Sequence, residues 1–277
     1  LYLLKLNGYE VGLREVIMAY CIMHWVQLII SLVYLRRDTI LRFNFSFIDF
    51  NTVRYLWAFA GVLYVANSLQ FLNYRIDFWI LEYFQGSKEV GTYALAFSLM
   101  QKMWILPTSI GFVLLPLISK DIDTSKRLIV ISRIALWILI SFGFVLVFIL
   151  RPTIVLLYGV EFIDTYYLLI IMLLGGIPFT LTSIYTSYFA GIGKVKYNMY
   201  GSLIGLVGTV VLDIALIPKY GNKGAAIASS ISYFSSTVYS VVIMKRLMNV
   251  NYKDLLFVSR SDINLLVGVV RKYKFGN

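Results

Sequence analysis

Seven stretches of this chain are apolar over the depth of a bilayer, and the charged residues gather into short segments between them. They run over residues 13–35, 55–81, 90–117, 128–150, 165–190, 198–217 and 224–244. An α-helix rises about 1.5 Å per residue, so roughly 20 apolar residues cross a hydrocarbon core of about 30 Å. A buried soluble helix does not need that length seven times over. No stretch alternates long enough to supply the strands of a membrane barrel. Charged residues make up 14% of the chain, against about 25% in soluble domains. The expected fold class is all-α, a polytopic membrane protein with about seven transmembrane helices.

The net charge of +11 does not indicate a nucleic-acid surface, because the basic residues sit at the ends of apolar spans and form no single face. Cys21 is the only cysteine and His24 the only histidine, so a disulfide framework and a His-based metal site lack their residues. Loop charge sets orientation. With residues 36–54 facing the cytoplasm, seventeen Lys and Arg fall inside and six outside, with Arg75 and Lys102 within spans. The C-terminus is then cytoplasmic. Residues 250–277 are too polar to span. Ser261 can cap a short helix carrying Ile263, Leu266, Val267 and Val270 on one face, suited to lie on the anionic inner leaflet. The chain starts at Leu1 without a signal peptide, which reads as a fragment or a processed chain.

Several motifs have local physical meanings. Pro218 ends a helix and Gly221 permits a tight outer turn. Gly224, Ala228 and Ser232, with Ala225 and Ser229 beside them, form a small-residue stripe for close helix packing, as Gly201, Gly205 and Gly208 do on the preceding helix. Gly175, Gly176 and Pro178, followed by Thr180, Thr182, Ser183, Thr186 and Ser187, read as a bent helix whose hydroxyls re-satisfy broken backbone bonds. Gly191 and Gly193 make a turn anchored by Lys194 and Lys196; no strand precedes it, so it is no phosphate-binding loop.

The stretches VLLYGVEF (155–162), AGIGKVK (190–196) and IPKYGNKGAAIASSISY (217–233) have an order and spacing that resemble the polysaccharide flippases of the multidrug/oligosaccharidyl-lipid/polysaccharide exporter superfamily. RIDFWILEYFQGSKEVGTYALA (75–96) and LLFVSRSDINLL (255–266) resemble the same family. The resemblance implies two helical bundles, of which this chain carries part. Residues 1–36 would end the first bundle, 37–53 form a cytoplasmic inter-bundle linker, 54–249 make a six-helix transmembrane bundle, and 250–277 form a cytoplasmic amphipathic tail.

Ionisable groups in membrane helices are costly and persist mostly where they face protein or water. Lys102 is the deepest, twelve residues from Val90 and fourteen from Pro116, on a helix kinked by Pro107. It is a cavity cation for a diphosphate, half of a structural ion pair, or a snorkelling lysine. The resemblance implies that relatives often carry a basic residue one turn earlier, where this chain has Ser98. Asn67, Gln70, Tyr74 and Asp77 share one face of an ideal helix, with Asn73 at its edge. Arg75 is a second cavity cation or an interface anchor. Asp77, which matches a carboxylate frequent in the family, and Asp213 are ion-coupling candidates, and Asp213 also reads as a polar packing contact.

No enzyme signature is present in the sequence, and no cofactor is expected. The resemblance implies a flippase that moves a polyprenyl-diphosphate-linked oligosaccharide across the plasma membrane for surface polysaccharide biosynthesis, driven by an ion gradient. Lys102 and Arg75 would bind the diphosphate, and Asn67, Gln70, Asn73 and Ser98 would contact sugar or water. Expected partners are the lipid-linked oligosaccharide, membrane lipids and the missing N-terminal bundle, with polysaccharide polymerase machinery as a further candidate. The rivals are a multidrug cation antiporter of the same superfamily, an inactive truncated membrane scaffold, and a membrane-embedded glycan-processing enzyme using Glu161 and Asp164.

Overall fold

The computed structural model describes residues 13–37, 49–118 and 122–259. Residues 1–12, Asp121 and the amphipathic segment around Ile263 to Val270 lie outside the described residues, as does most of the 37–53 linker. The chain divides into two compact units between Arg54 and Tyr55. The first contains α1 (Leu13–Arg37), whose apolar stretch is Ile17–Val33. Its Cys21 thiol is exposed, and the His24 ring packs against Tyr20 at 4.7 Å.

The second unit is built from α2 (Phe50–Asn73), which starts just before the boundary, α3 (Ile76–Gln85), α4 (Ser87–Met103), α5 (Ile105–Ile118), α6 (Ile122–Tyr158), α7 (Ile163–Gly176), α8 (Phe179–Gly191), α9 (Lys196–Met248) and α10 (Tyr252–Leu256). Among the described residues, three helical stretches are long and apolar enough to cross a membrane singly: Phe50–Gln85, Arg127–Tyr158 and Lys196–Met248. The pairs α4–α5 and α7–α8 pass the same test as broken spans, bent by 41° and 44°. The 53-residue α9 turns back at Gly221, where φ is 58° and ψ −136°, a conformation open to glycine. A methyl on nearby Gly224 would lie 2.5 Å from the Leu216 carbonyl oxygen. Both glycines are therefore needed for the turn. The two arms then lie side by side, with the Ser236 hydroxyl donating to the Gly201 carbonyl at 3.1 Å. Pro218, expected to end the first arm, sits inside its last turn, and the reversal comes three residues later.

The breaks define the architecture. The ladder of α2 tightens at Tyr74, whose N–H bonds both Gln70 and Phe71, and Arg75 follows with φ −126°. The α4–α5 break falls at Trp104, so Pro107 sits in the first turn of α5, where its missing N–H costs nothing. In the third break Pro178 separates α7 from α8. There the Thr180 N–H bonds Ile177, which leaves the Gly176 carbonyl without its helical partner. The indole of Trp104 supplies the missing donor at 2.8 Å. Tyr74, Phe179 and Tyr233 pack around that indole with ring centroids 5.7, 4.8 and 5.2 Å away. The three breaks thus meet at one aromatic hub.

Two cores flank this level. One joins α3, α4 and α7 to α9 around Phe97, Met100 and Tyr233. The other joins α5, α6, α8, α10 and the end of α9 around Tyr185, Phe189 and Met244. Ile177, at the α7–α8 break, packs against both. Close approach relies on small residues, as membrane packing generally does. A methyl on Gly175 would overlap the Ser230 carbonyl.

Candidate functional site

Two polar centres lie on opposite sides of the hub. The first is a cleft of about 160 Å³ lined by α2, α8, both arms of α9 and Thr108. Asn67, Gln70 and Tyr74 enter it from α2, spaced by three and four residues along one helical face. The Ser202 hydroxyl donates to Gln70 Oε1 at 3.0 Å, and the Asn198 amide donates to the Thr186 carbonyl at 3.0 Å. Asn198 Oδ1 is buried and meets no partner among the described residues. The lining consists of neutral amides, hydroxyls and aromatic edges, a set that matches a polyol better than an ion.

The second centre is acidic. Asp77, fully buried, accepts hydrogen bonds from the Tyr93 hydroxyl, from Ser229 Oγ at 3.1 Å and from the Phe78 N–H at 3.0 Å. Tyr93 and Ser229 also share a hydrogen bond of 2.8 Å. Asp213, from the first arm of α9, is equally buried and close enough to interact electrostatically with Asp77. Neither of its oxygens meets a hydrogen-bond partner among the described residues. One turn earlier on the same face, Thr209 donates to Asn73 Oδ1 at 2.6 Å. A buried carboxyl without partners is costly in a low-dielectric interior, so its presence calls for an explanation beyond packing. A carboxyl held by two hydroxyls, with a second buried carboxyl within electrostatic range, suits a proton or a small hard cation. No group of three or more His, Cys, Asp or Glu that could hold a metal occurs among the described residues.

The residues singled out in the sequence are distributed unevenly over these centres. Asn67 and Gln70 line the neutral cleft. Asp77 does not join them, because the break at Tyr74 turns α3 away from the face it shares on an ideal helix. Asn73 is 1% exposed and held by Thr209, a packing contact instead of a cleft residue. Ser98 is half-buried and its hydroxyl donates to the Leu95 carbonyl. Arg75 and Lys102 are both exposed, immediately beside the breaks at Tyr74 and Trp104, and neither lines the cleft. The Arg75 guanidinium lies over the Phe78 ring at 5.6 Å. Sequence reasoning missed Tyr93, Thr209 and Trp104. It placed Ser229 beside a packing stripe, where its hydroxyl was the available signal.

The pattern of the lipid II flippase MurJ family matches residues 12–270. The chain belongs to this family. MurJ-family membership makes it a multi-pass membrane protein of a transporter family. The chain is 26% identical over 211 residues to a candidate O-antigen transporter of Shigella flexneri, covering 74% of this chain and 50% of that protein. It is 29% identical over 94 residues to the lipid II flippase MurJ of Bacillus subtilis (strain 168), covering 34% of this chain and 17% of that one. The fold is similar to two crystal structures of MATE. One is in the straight conformation, with a TM-score of 0.56 and 17% identity over 75% of this chain and 47% of that one. The other is in complex with MaD3S, with a TM-score of 0.54 and 16% identity over 73% and 48%. The chain spans about half the length of the O-antigen transporter relative and of these structures.

Proposed function

We propose that the full-length protein is a flippase that carries a polyprenyl-diphosphate-linked oligosaccharide from the cytoplasmic to the outer leaflet of the plasma membrane. The observation that carries this reading is the MurJ-family match over residues 12–270, and the name of the Shigella flexneri relative supports a surface polysaccharide as the destination. The cargo's difficulty is a sugar and a doubly anionic diphosphate crossing hydrocarbon. The neutral cleft at Asn67 and Gln70 suits the sugar hydroxyls. Arg75 and Lys102, exposed at the helix breaks, suit the diphosphate, because attraction between charges is strong where the dielectric is low. Asp77 and Asp213 would couple the step to a cation or proton gradient. A first helical bundle, of the kind the relatives' remaining length would supply, would complete the pathway, and rocking of the two bundles would give alternating access. The Lys and Arg distribution supports a cytoplasmic C-terminus. Membrane lipids and polysaccharide polymerase machinery would be its further partners.

The test is complementation, with the full-length gene, of a strain lacking its surface-glycan flippase. A hydrogen bond to a charged group is worth about 1.5 to 3 kcal/mol, so Lys102→Ala should lower export roughly tenfold to a hundredfold, with lipid-linked glycan accumulating. Export unchanged in both Lys102→Ala and Arg75→Ala would sink the cation role. A second reading, a multidrug cation antiporter, is favoured by the two buried carboxyls. Under it, the protein would clear a cationic dye from cells and would not restore glycan export.

A further inference from the structure

A groove of about 710 Å³ runs along the outside of the second unit; it shares no lining residue with the neutral cleft, and Thr237 on its wall accepts a hydrogen bond from Thr182 of the cleft at 3.3 Å. Its walls are α6 and the second arm of α9, its floor is the α7–α8 break, and Tyr252 and Leu256 of α10 close one end. The lining is almost wholly aliphatic and aromatic. On α6 it extends from Leu136 to Val147, eleven residue steps, or about 16 Å of helix. That is half of a hydrocarbon core of about 30 Å, the depth of one leaflet.

The closed end carries the marks of a membrane interface. Trp137 donates its indole N–H to the Leu256 carbonyl at 2.9 Å, and Tyr252 stands partly exposed at the mouth, the residue types that collect at headgroup level. The Lys245 ammonium lies 4.0 Å from the centre of the Tyr252 ring. Arg246 and Lys253 are exposed on the same segment, and Arg133 donates to the Asp254 carbonyl at 2.6 Å. The one carboxylate among these residues, Asp254, is engaged in capping α10, where it accepts the Asn251 N–H at 3.2 Å. Among the described residues, an apolar slot one leaflet deep thus ends at a segment that carries Lys245, Arg246 and Lys253. A polyprenyl tail is much longer than this slot, and a zwitterionic headgroup makes no use of the charge.

We propose that this groove holds one acyl chain of an acidic glycerophospholipid, whose phosphate sits at Lys245 and Lys253. The groove shares no lining residue with the cleft assigned to the sugar and includes neither Arg75 nor Lys102, so its failure leaves that reading untouched. The lipid chain would lie against Ile177 and Pro178, the floor of the groove and the break that Trp104 bonds from the other side.

The experiment is native mass spectrometry of the full-length protein, delipidated in detergent and titrated with phosphatidylglycerol, phosphatidylcholine or undecaprenyl phosphate. The wild type should retain one phosphatidylglycerol in preference to phosphatidylcholine. A lysine near anionic lipid contributes enough attraction for roughly a fivefold change in affinity, so Lys245→Gln and Lys253→Gln should each weaken phosphatidylglycerol by about that factor and leave phosphatidylcholine unchanged. Val238→Trp, which fills the groove from its exposed rim, should abolish retention of both; it carries the test if a lysine variant misfolds. Equal retention of the two phospholipids by the wild type overturns the proposal. So does phosphatidylglycerol retention unaltered by Val238→Trp, or displacement of phosphatidylglycerol from this groove by equimolar undecaprenyl phosphate.

Discussion

Replacing Trp104 by Phe removes one N–H and one ring from the point where three broken helices meet. The Gly176 carbonyl is buried, has lost its helical donor to Ile177, and receives the indole at 2.8 Å. An unmet buried carbonyl costs about 1 to 3 kcal/mol, while interhelical hydrogen bonds within membranes average about 0.6 and reach about 1.7 kcal/mol. Because the helix itself cannot re-supply this donor, about 1.5 kcal/mol is expected for the bond. The smaller ring leaves a void beside Phe179 and Tyr233, adding roughly 1 kcal/mol. The total expected for Trp104→Phe is about 2.5 kcal/mol. Trp104→Leu also loses the ring contacts to Tyr74, Phe179 and Tyr233, each worth about 0.5 to 1.5 kcal/mol, and should cost about 4 kcal/mol. Unfolding of the full-length protein in mixed micelles by increasing SDS, followed by far-ultraviolet circular dichroism, measures both. If Trp104→Phe stays within the roughly 0.5 kcal/mol of an ordinary surface substitution, the carbonyl is satisfied some other way and the hub does not hold the breaks together.

Two further outcomes follow from the packing and the acidic centre. Gly175→Ala places a methyl on the Ser230 backbone, which cannot swing aside as a side chain can; it should cost about 3 kcal/mol or more, read as lost yield and a lower unfolding midpoint, whereas Gly91→Ala, with open space around it, should be tolerated. Asp213→Leu removes a buried carboxyl that has no hydrogen-bond partner among the described residues, so the protein should become as stable or more stable. Export should fall at least tenfold in the same variant, and a variant that is stabilised with export intact would show that the carboxyl has no part in coupling.

The spans were legible because bilayer thickness dictates helix length, and charge ends each run. Gly221 was legible as a turn because it lies between two apolar runs just after Pro218, and it is the residue of 217–224 that adopts a positive φ. The breaks were legible only in part. Pro107 and Pro178 announced two of them, but Pro107 acts from the first turn of α5, and the bend itself falls at Trp104. The break at Tyr74 has no proline and no glycine, so extrapolating an ideal helix from Asn67 carried Asp77 onto the wrong face. That one turn separates the neutral cleft from the acidic centre. Tyr93 and Thr209 escaped notice because their hydroxyls matter only through partners more than 15 residues away in sequence. Lys102 lies next to Trp104 at the level of the hub and is exposed, and spacing alone does not say which way a side chain faces.

The meeting of the three breaks at one depth has a mechanical consequence. Helices α3, α4 and α7 on one side and α5 and α8 on the other end at the hub, where Ile177 packs against both cores. Among the described helices of this unit, α6 and the arms of α9 pass that level unbroken, and both cores draw side chains from them. At the Gly221 end the Asn222 amide donates to the Glu89 carboxylate, so a displacement of that turn would be passed first to the start of α4.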